Sequence, residues 1–87
     1  MIFTEDSVIV GGTYRHYKGK LYRVLSIGRS SEDLSLQVVY QGLYNCPDFG
    51  DQPIWTRPLE MFCETVESSG ESVPRFTLIE KPTHGTL

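Results

Sequence analysis

The stretch TYRHYKGKLYRVL, residues 13–25, constrains the fold more than any other part of the chain. Its side chains alternate on both sides of Gly19, and alternation with a period of two is typical of β-strands. A central glycine accommodates the positive φ of a tight turn without steric cost. The stretch therefore predicts a β-hairpin over residues 13–28, in which Tyr22 and Arg23 lie on opposite faces of the second strand.

Three further strands and one short helix are predicted after this hairpin. Segment 34–40 is rich in β-branched and aromatic residues, which favours a strand. Pro58 suits the first turn of a helix, and apolar residues recur from Leu59 at helical spacing, which predicts one or two turns over residues 58–64. The remaining predictions are a loop over 41–53, a strand over 54–56, and a last strand over 73–79 that Pro74 weakens.

These elements predict one all-β domain with a single short helix. A chain of 87 residues has room for one domain. Short strands at close spacing favour a small SH3-like, partly open barrel. We expect the domain to span residues 12–80. Residues 1–11 are an N-terminal arm, of which 8–10 either pair as an edge strand or stay loose, and residues 81–87 are a flexible C-terminal tail.

Charge is distributed unevenly along the chain. The formal net charge is −3, which disfavours non-specific binding of the whole protein to DNA or to anionic membranes. Residues 12–31 nevertheless carry five cations and no acid, whereas residues 32–87 carry three cations and nine acids. The basic hairpin either steers an acidic partner to one face or discourages aggregation at an exposed strand edge.

No motif for metal binding or catalysis stands out in the sequence. The candidate ligands His16, Cys46, Cys63 and His84 include no closely spaced pair of the kind that structural zinc uses. Neither a Gly-rich phosphate loop nor a local signature of a nucleophile with its base is present. We therefore expect no metal, no cofactor and no enzymatic activity.

The expected location is the cytoplasm, without a membrane contact. No apolar run approaches the roughly 18 residues that span a bilayer. The first residues lack the positive start and apolar core of a signal peptide. Two cysteines without a secretory signal are typical of free thiols, so we expect Cys46 and Cys63 to be unpaired.

Aromatic and cationic side chains supply the candidate binding residues. Most rings in so small a domain pack in the core, and we expect Tyr17, Tyr44 and Trp55 to stay partly exposed. Arg57 and Arg75 each lie beside a proline, and such an arginine either braces the fold or binds a ligand by stacking on a ring or pairing with a carboxylate. The predicted ligand-binding residues are His16, Tyr17, Lys18, Tyr22, Arg23, Tyr44, Trp55 and Arg57.

Four segments in order, GTYRHYKGKLYRVL, VVYQGLY, IWTRPLEMF and VPRF, carry a family resemblance. Together they resemble the bacterial family called domain of unknown function 1653, over roughly residues 11–79. The matching positions are Tyr14, His16, Tyr17, Lys18, Gly19, Tyr22, Val24, Val38, Val39, Tyr40, Trp55, Arg57, Pro58, Leu59, Met61, Phe62, Pro74, Arg75 and Phe76.

The resemblance implies a compact, largely β domain and no particular activity, because the family has none established. This chain departs from the family pattern at three places. Ser30 stands where a histidine is usual, Thr56 stands where valine is usual, and the loop over residues 45–53 is longer.

The function that we favour from the sequence is a non-catalytic binding module that recognises a protein or peptide through an aromatic-lined face. The alternative is binding of RNA or single-stranded nucleic acid through the basic hairpin, residues 13–29, because small barrels stack bases on aromatic rings beside cations. A third alternative is a small-molecule pocket around His16, Trp55 and Arg57. The sequence does not identify the partner or the oligomeric state.

Overall fold

The computed structural model describes residues 3–82, a mainly β structure with one short helix. A 3-10 turn at Glu5–Ser7 comes before the first strand. The elements that follow are β1 (Thr13–His16), β2 (Leu21–Arg29), β3 (Leu36–Gly42), β4 (Asn45–Cys46), β5 (Gly50–Asp51), β6 (Ile54–Pro58), α1 (Leu59–Cys63), β7 (Thr65–Ser68), β8 (Glu71–Pro74) and β9 (Phe76–Glu80). Five strands form one antiparallel sheet in the order β6-β3-β2-β1-β9, and β4–β5 and β7–β8 are separate hairpins.

The hairpin predicted over residues 13–28 is confirmed as the pair β1–β2. Tyr14 lies opposite Tyr22, and the connecting turn contains Gly19 at a φ of +113°. Val24 is fully buried and Arg23 is exposed, as the alternation indicates. A register shift between Val24 and Ser26 interrupts the ladder with β3, and a bulge of this kind bends the strand.

The second half of the sheet differs in its boundaries from the sequence prediction. The strand predicted over 34–40 begins at Leu36, because Leu34 adopts a positive φ of 63° in a turn and is exposed. Arg29 closes this turn by donating to the Leu34 carbonyl at 2.8 Å. The strand predicted over 54–56 extends to Pro58, and the predicted loop over 41–53 contains the short β4–β5 hairpin.

The largest difference lies in the last third of the described chain. A single strand was predicted over residues 73–79, whereas the structure has β8 and β9 separated at Arg75. Ser69 and Gly70 both have positive φ, 51° and 82°, which is the geometry of a tight hairpin turn. This turn pairs β8 with β7, and Pro74, which has no N–H to donate, ends the strand.

The core lies between the sheet and α1. The helix predicted over 58–64 is confirmed as Leu59–Cys63, and its Phe62 stacks on Phe76 with ring centroids 4.1 Å apart. Residues 8–10 form no strand within the described chain, yet Val8 is buried in the core. The core residues are Val8, Tyr14, Val24, Val38, Tyr40, Leu59, Phe62 and Phe76.

The all-β prediction with one short helix is confirmed. Among the described strands, β6 and β9 are the two edges of an open sheet, so the sheet does not close. The SH3-like assignment is not confirmed. Of the tail predicted over 81–87, residues 83–87 and therefore His84 lie outside the described residues. No helix within residues 3–82 has the length and apolar character needed to cross a membrane.

Candidate functional site

An aromatic pocket opens on the side of the sheet where β2, β3 and β6 meet. Its volume is about 270 Å³. Tyr40 on β3 lies directly opposite Trp55 on β6, and Tyr22 on β2 lies opposite Gly42. Gly42 leaves the space that the Tyr44 ring occupies, since a Cβ there would collide with that ring. The residues that line the aromatic pocket are Tyr22, Tyr40, Tyr44, Trp55, Thr56 and Arg57.

Hydrogen bonds and edge-on ring contacts hold the wall of the pocket in place. The Tyr44 hydroxyl accepts from Trp55 Nε1 at 3.1 Å and lies 3.2 Å from the Tyr22 hydroxyl. The Tyr22 ring meets Tyr40 and Tyr44 edge-on, at centroid distances of 5.4 and 5.5 Å. Burial, with a smaller effect from the Tyr44 hydrogen bond, raises the pKa of Tyr22, and burial raises the pKa of Tyr40. Both hydroxyls therefore stay neutral at physiological pH.

Arg57 is the charged residue of the aromatic pocket, and its charge is not balanced by an acid. Its guanidinium lies 5.7 Å from the centroid of the Phe76 ring, a cation–π contact. Its Nη1 atom is shielded from solvent and has no hydrogen-bond partner within residues 3–82. The ion pair that the described chain does form joins Arg75 to Glu64 instead. A shielded donor without an acceptor costs about 1–3 kcal/mol, so the Nη1 of Arg57 carries a cost that the described chain does not offset.

Other cations strengthen the positive field around the pocket. Lys20 Nζ lies 4.4 Å from the centroid of the Tyr44 ring. The His16 ring packs edge-on against the Phe76 ring, with centroids 5.0 Å apart, and its centroid lies 6.3 Å from that of the Tyr22 ring. Its pKa is lowered, first by burial and then by the charges of Arg57, Arg75 and Lys18. An anion that entered the pocket would reduce this repulsion and favour protonation of His16.

The structure brings together half of the eight residues predicted to bind a ligand. Tyr22, Tyr44, Trp55 and Arg57 line the aromatic pocket. The other predicted residues lie elsewhere, although His16 contacts the Tyr22 and Phe76 rings. His16 and Tyr17 line a different groove, and the Lys18 Nζ atom lies 5.8 Å from the centroid of the Tyr17 ring. Arg23 lines a separate cavity with Gly11, Thr13, Glu80, Lys81 and Pro82.

Sequence reasoning did not select three residues that belong to this arrangement. Tyr40 and Thr56 line the aromatic pocket, and Lys20 covers the Tyr44 ring. Tyr40 could have been found from the register of β3 with β6, which places it opposite Trp55. That register depends on how the long loop between the strands folds, and the sequence pattern does not specify the loop.

The described residues contain no cluster of three or more potential metal ligands. Cys46 and Cys63 are free and half-buried. Burial raises the pKa of the Cys63 thiol, so that its reactive thiolate form is disfavoured. The groups that line the aromatic pocket are aromatic rings, hydroxyls and one guanidinium.

Comparison with known proteins gives a family match. Residues 12–78 match the model of a protein family of unknown function, DUF1653. The chain is also similar to a DUF1653 protein from Bordetella bronchiseptica whose crystal structure is known. The two share 36% sequence identity, the match covers 86% of this chain and 92% of that one, and the TM-score is 0.72. No match was found among curated proteins.

Proposed function

The chain belongs to the DUF1653 family of proteins of unknown function, and we propose that it is a non-catalytic binding module that takes an acidic side chain of a peptide into the aromatic pocket. The observation that carries the proposal is the unbalanced charge of Arg57 at the pocket. A carboxylate would accept hydrogen bonds from the guanidinium in the paired geometry that arginine favours. Nη1 itself is covered, so the proposal requires the guanidinium to turn toward the cavity as the ligand enters.

The size and walls of the pocket support a single side chain as the bound group. A volume of about 270 Å³ lies just below the range of sites that enclose drug-sized molecules. Trp55 and Tyr44 are fixed by their hydrogen bond and offer apolar surface to the methylene groups of the side chain. Fixed rings lose little conformational freedom on binding, which favours affinity.

The neutral hydroxyls of the pocket support binding rather than catalysis. A general base works best when its pKa lies near the operating pH. The pKa values of Tyr22 and Tyr40 are raised by burial, and their hydroxyls are therefore poor bases. The hydroxyls of Tyr22 and Tyr44 lie within hydrogen-bond distance of each other. They serve to orient the rings.

The placement of the hairpin cations favours a peptide over a nucleic acid. Binding of single strands needs open ring faces beside a continuous basic groove. Here Lys20 lies over the Tyr44 ring, and other rings meet Tyr22 edge-on. Arg23 lines a different cavity and Arg29 bonds the Leu34 carbonyl, so the basic residues do not form one track.

Selection from a phage library of random twelve-residue peptides tests the proposal. We expect the recovered sequences to share one Asp or Glu, and expect Arg57→Met to abolish the enrichment. The matched control is Arg75→Met, which removes an arginine that is already paired and should recover the same sequences. Recovery of no sequence family, or of families without an acid, would overturn the proposal.

A parallel titration with a mixed single-stranded RNA oligonucleotide tests the alternative. Under the peptide proposal, affinity for the RNA is weak at low salt and does not depend on Arg57. Tight binding that falls steeply with salt and is lost on replacing Lys18 and Lys20 by Glu would instead favour nucleic acid as the ligand.

A further inference from the structure

β6 is an edge of the main sheet and also forms one side of the aromatic pocket. It pairs with β3 on one side, and no described strand covers its other side. Trp55, Thr56 and Arg57, three consecutive residues of β6, line the pocket. Because Trp55 and Arg57 share a face and Thr56 points to the other, the cavity reaches the strand backbone as well as its side chains.

The register of β6 with β3 identifies which backbone groups face the open edge. Gly42 donates its N–H to the Pro53 carbonyl at 2.8 Å, so these opposed residues form a hydrogen-bonded pair. Hydrogen-bonded and non-hydrogen-bonded pairs alternate along an antiparallel ladder. Counting from Pro53, Trp55 and Arg57 bond to β3, whereas Ile54 and Thr56 direct their N–H and C=O groups away from it.

The outward groups of Thr56 are unoccupied within residues 3–82. No turn, loop or side-chain hydrogen bond of the described chain reaches its N–H or C=O. Pro53 and Pro58 bracket the strand, and neither has an N–H to offer. The open edge is therefore short, with Thr56 at its centre between the side chains of Trp55 and Arg57.

We propose that the peptide binds as an added strand along β6, pairs with the backbone of Thr56 and Ile54, and directs its acidic side chain to Arg57. The inference rests on the proposed function and adds the geometry of the bound chain. Strand addition uses main-chain hydrogen bonds for affinity and pockets for alternate side chains for specificity. Arg57 belongs to this edge strand and has no acid partner in the described chain, and its charge selects an acidic peptide as the occupant, rather than any exposed strand.

Amide hydrogen exchange of the wild-type protein tests the geometry. Without peptide, we expect the Thr56 amide to exchange rapidly and the Trp55 and Arg57 amides to be protected by β3. The probe is a capped synthetic peptide of the sequence recovered most often from the phage selection. At saturation it should slow exchange at Thr56 at least tenfold and leave the amides of β9, the other edge of the sheet, unchanged.

Two chemical variants give an independent test. Thr56→Pro removes the outward N–H without removing a ladder bond to β3, and prolines are tolerated on edge strands. We expect this variant to keep its melting temperature and to bind the same peptide about tenfold more weakly. N-methylation of the peptide at successive residues should weaken binding only at every second position, because alternate amides face β6.

The outcomes separate this inference from the proposed function. If the peptide binds but Thr56 exchange is unchanged, or if N-methylation shows no alternation, strand addition is wrong and peptide binding stands. If the selection recovers no peptide, the proposed function itself fails. Protection of Thr56 that appears without peptide and grows with protein concentration would assign the edge to a second copy of this chain and would also overturn the inference.

Discussion

Two arginines, Arg57 and Arg75, stand beside prolines in the sequence and end in opposite environments. Arg75 donates from Nε to the Met61 carbonyl at 3.0 Å and from Nη2 to Glu64 at 2.6 Å. Arg57 lies over the Phe76 ring, and its shielded Nη1 atom has no acceptor in the described chain. One arginine joins helix α1 to the segment between β8 and β9, and the other lines the aromatic pocket without an acid partner in the described chain.

The difference shows which of the two guanidinium groups has hydrogen-bond and charge partners within the fold and which does not. Around Arg75 two guanidinium nitrogens have acceptors, one of them the Glu64 carboxylate, so the charge contributes to the stability of the fold. Around Arg57 an unpaired charge beside rings costs stability. Departures of this kind concentrate at functional sites, which is why we propose the Arg57 pocket rather than the surroundings of Arg75 as the binding region.

The largest expected effect comes from removing the ring that lies between these regions. Phe76 stacks on Phe62, contacts the Arg57 guanidinium and directly follows Arg75. Phe76→Ala should lower the free energy of unfolding by about 3–5 kcal/mol, measured by urea denaturation. The control is Phe49→Ala, at a ring that is 67% exposed. Equal effects of the two substitutions would mean that Phe76 is not the common support of both regions.

The second prediction separates the arginines by binding. Arg57→Met keeps the apolar stem and removes the guanidinium, so affinity for a selected acidic peptide should fall about 10- to 100-fold, the loss of a hydrogen bond to a charged group. Arg75→Met should change the affinity less than about threefold, since Arg75 already binds Glu64. Calorimetric titration measures both, and a larger loss for Arg75→Met would reverse the assignment.

The third prediction concerns the stability of the same two variants, and here we expect Arg75→Met to have the larger effect. Arg75→Met removes two hydrogen bonds and leaves Glu64 without its partner, and we expect it to destabilise the fold by about 1–2 kcal/mol after allowance for partial exposure. Arg57→Met removes an unpaired charge and should leave stability unchanged or raise it by up to about 1 kcal/mol. Thermal and urea unfolding of both variants provide the measurement. A large loss for Arg57→Met would show that the fold depends on this cation.

The smallest expected effect is on the titration of His16. Burial and the cations Arg57, Arg75 and Lys18 lower its pKa, so the folded state holds the neutral form. The unfolded chain therefore binds the proton first, and stability should fall as the pH falls below the ordinary histidine pKa of 6.5. In an NMR titration, Arg57→Met should raise the His16 pKa more than Arg75→Met does, because Glu64 offsets the charge of Arg75. Equal shifts would contradict the contrast.

Local patterns were sufficient to predict much of the sheet. Alternation around Gly19 predicted the β1–β2 hairpin, and helical spacing from Leu59 predicted α1, because both depend on residues close together in sequence. The prediction of one last strand over residues 73–79 was wrong, because the turn before this segment and the proline within it divide it between two strands. The segment from Val73 to Ile79 was predicted as one strand despite Pro74, but Ser69 and Gly70 make a turn that assigns its first part to another hairpin.

The sequence predicted which types of residue form the candidate site, but it predicted less well which of them line the same pocket. Tyr22, Tyr44, Trp55 and Arg57 were selected as interleaved rings and cations, and they line one pocket. Arg23 was selected for its charge alone, although strand alternation places it on the opposite face of β2 from Tyr22. Whether an arginine finds an acid depends on contacts between distant segments, as between Arg75 and Glu64, and the prolines beside both arginines do not reveal it.

A double-mutant cycle tests the central claim, that the open charge of Arg57 binds a carboxylate of the ligand. Wild type and Arg57→Met are each titrated calorimetrically with a selected peptide and with the same peptide carrying the amide in place of its acid. The account predicts a coupling energy of about 1.5 kcal/mol or more, because each change removes the same interaction. Additive effects, within about 0.5 kcal/mol, would contradict the claim even if the peptide binds tightly.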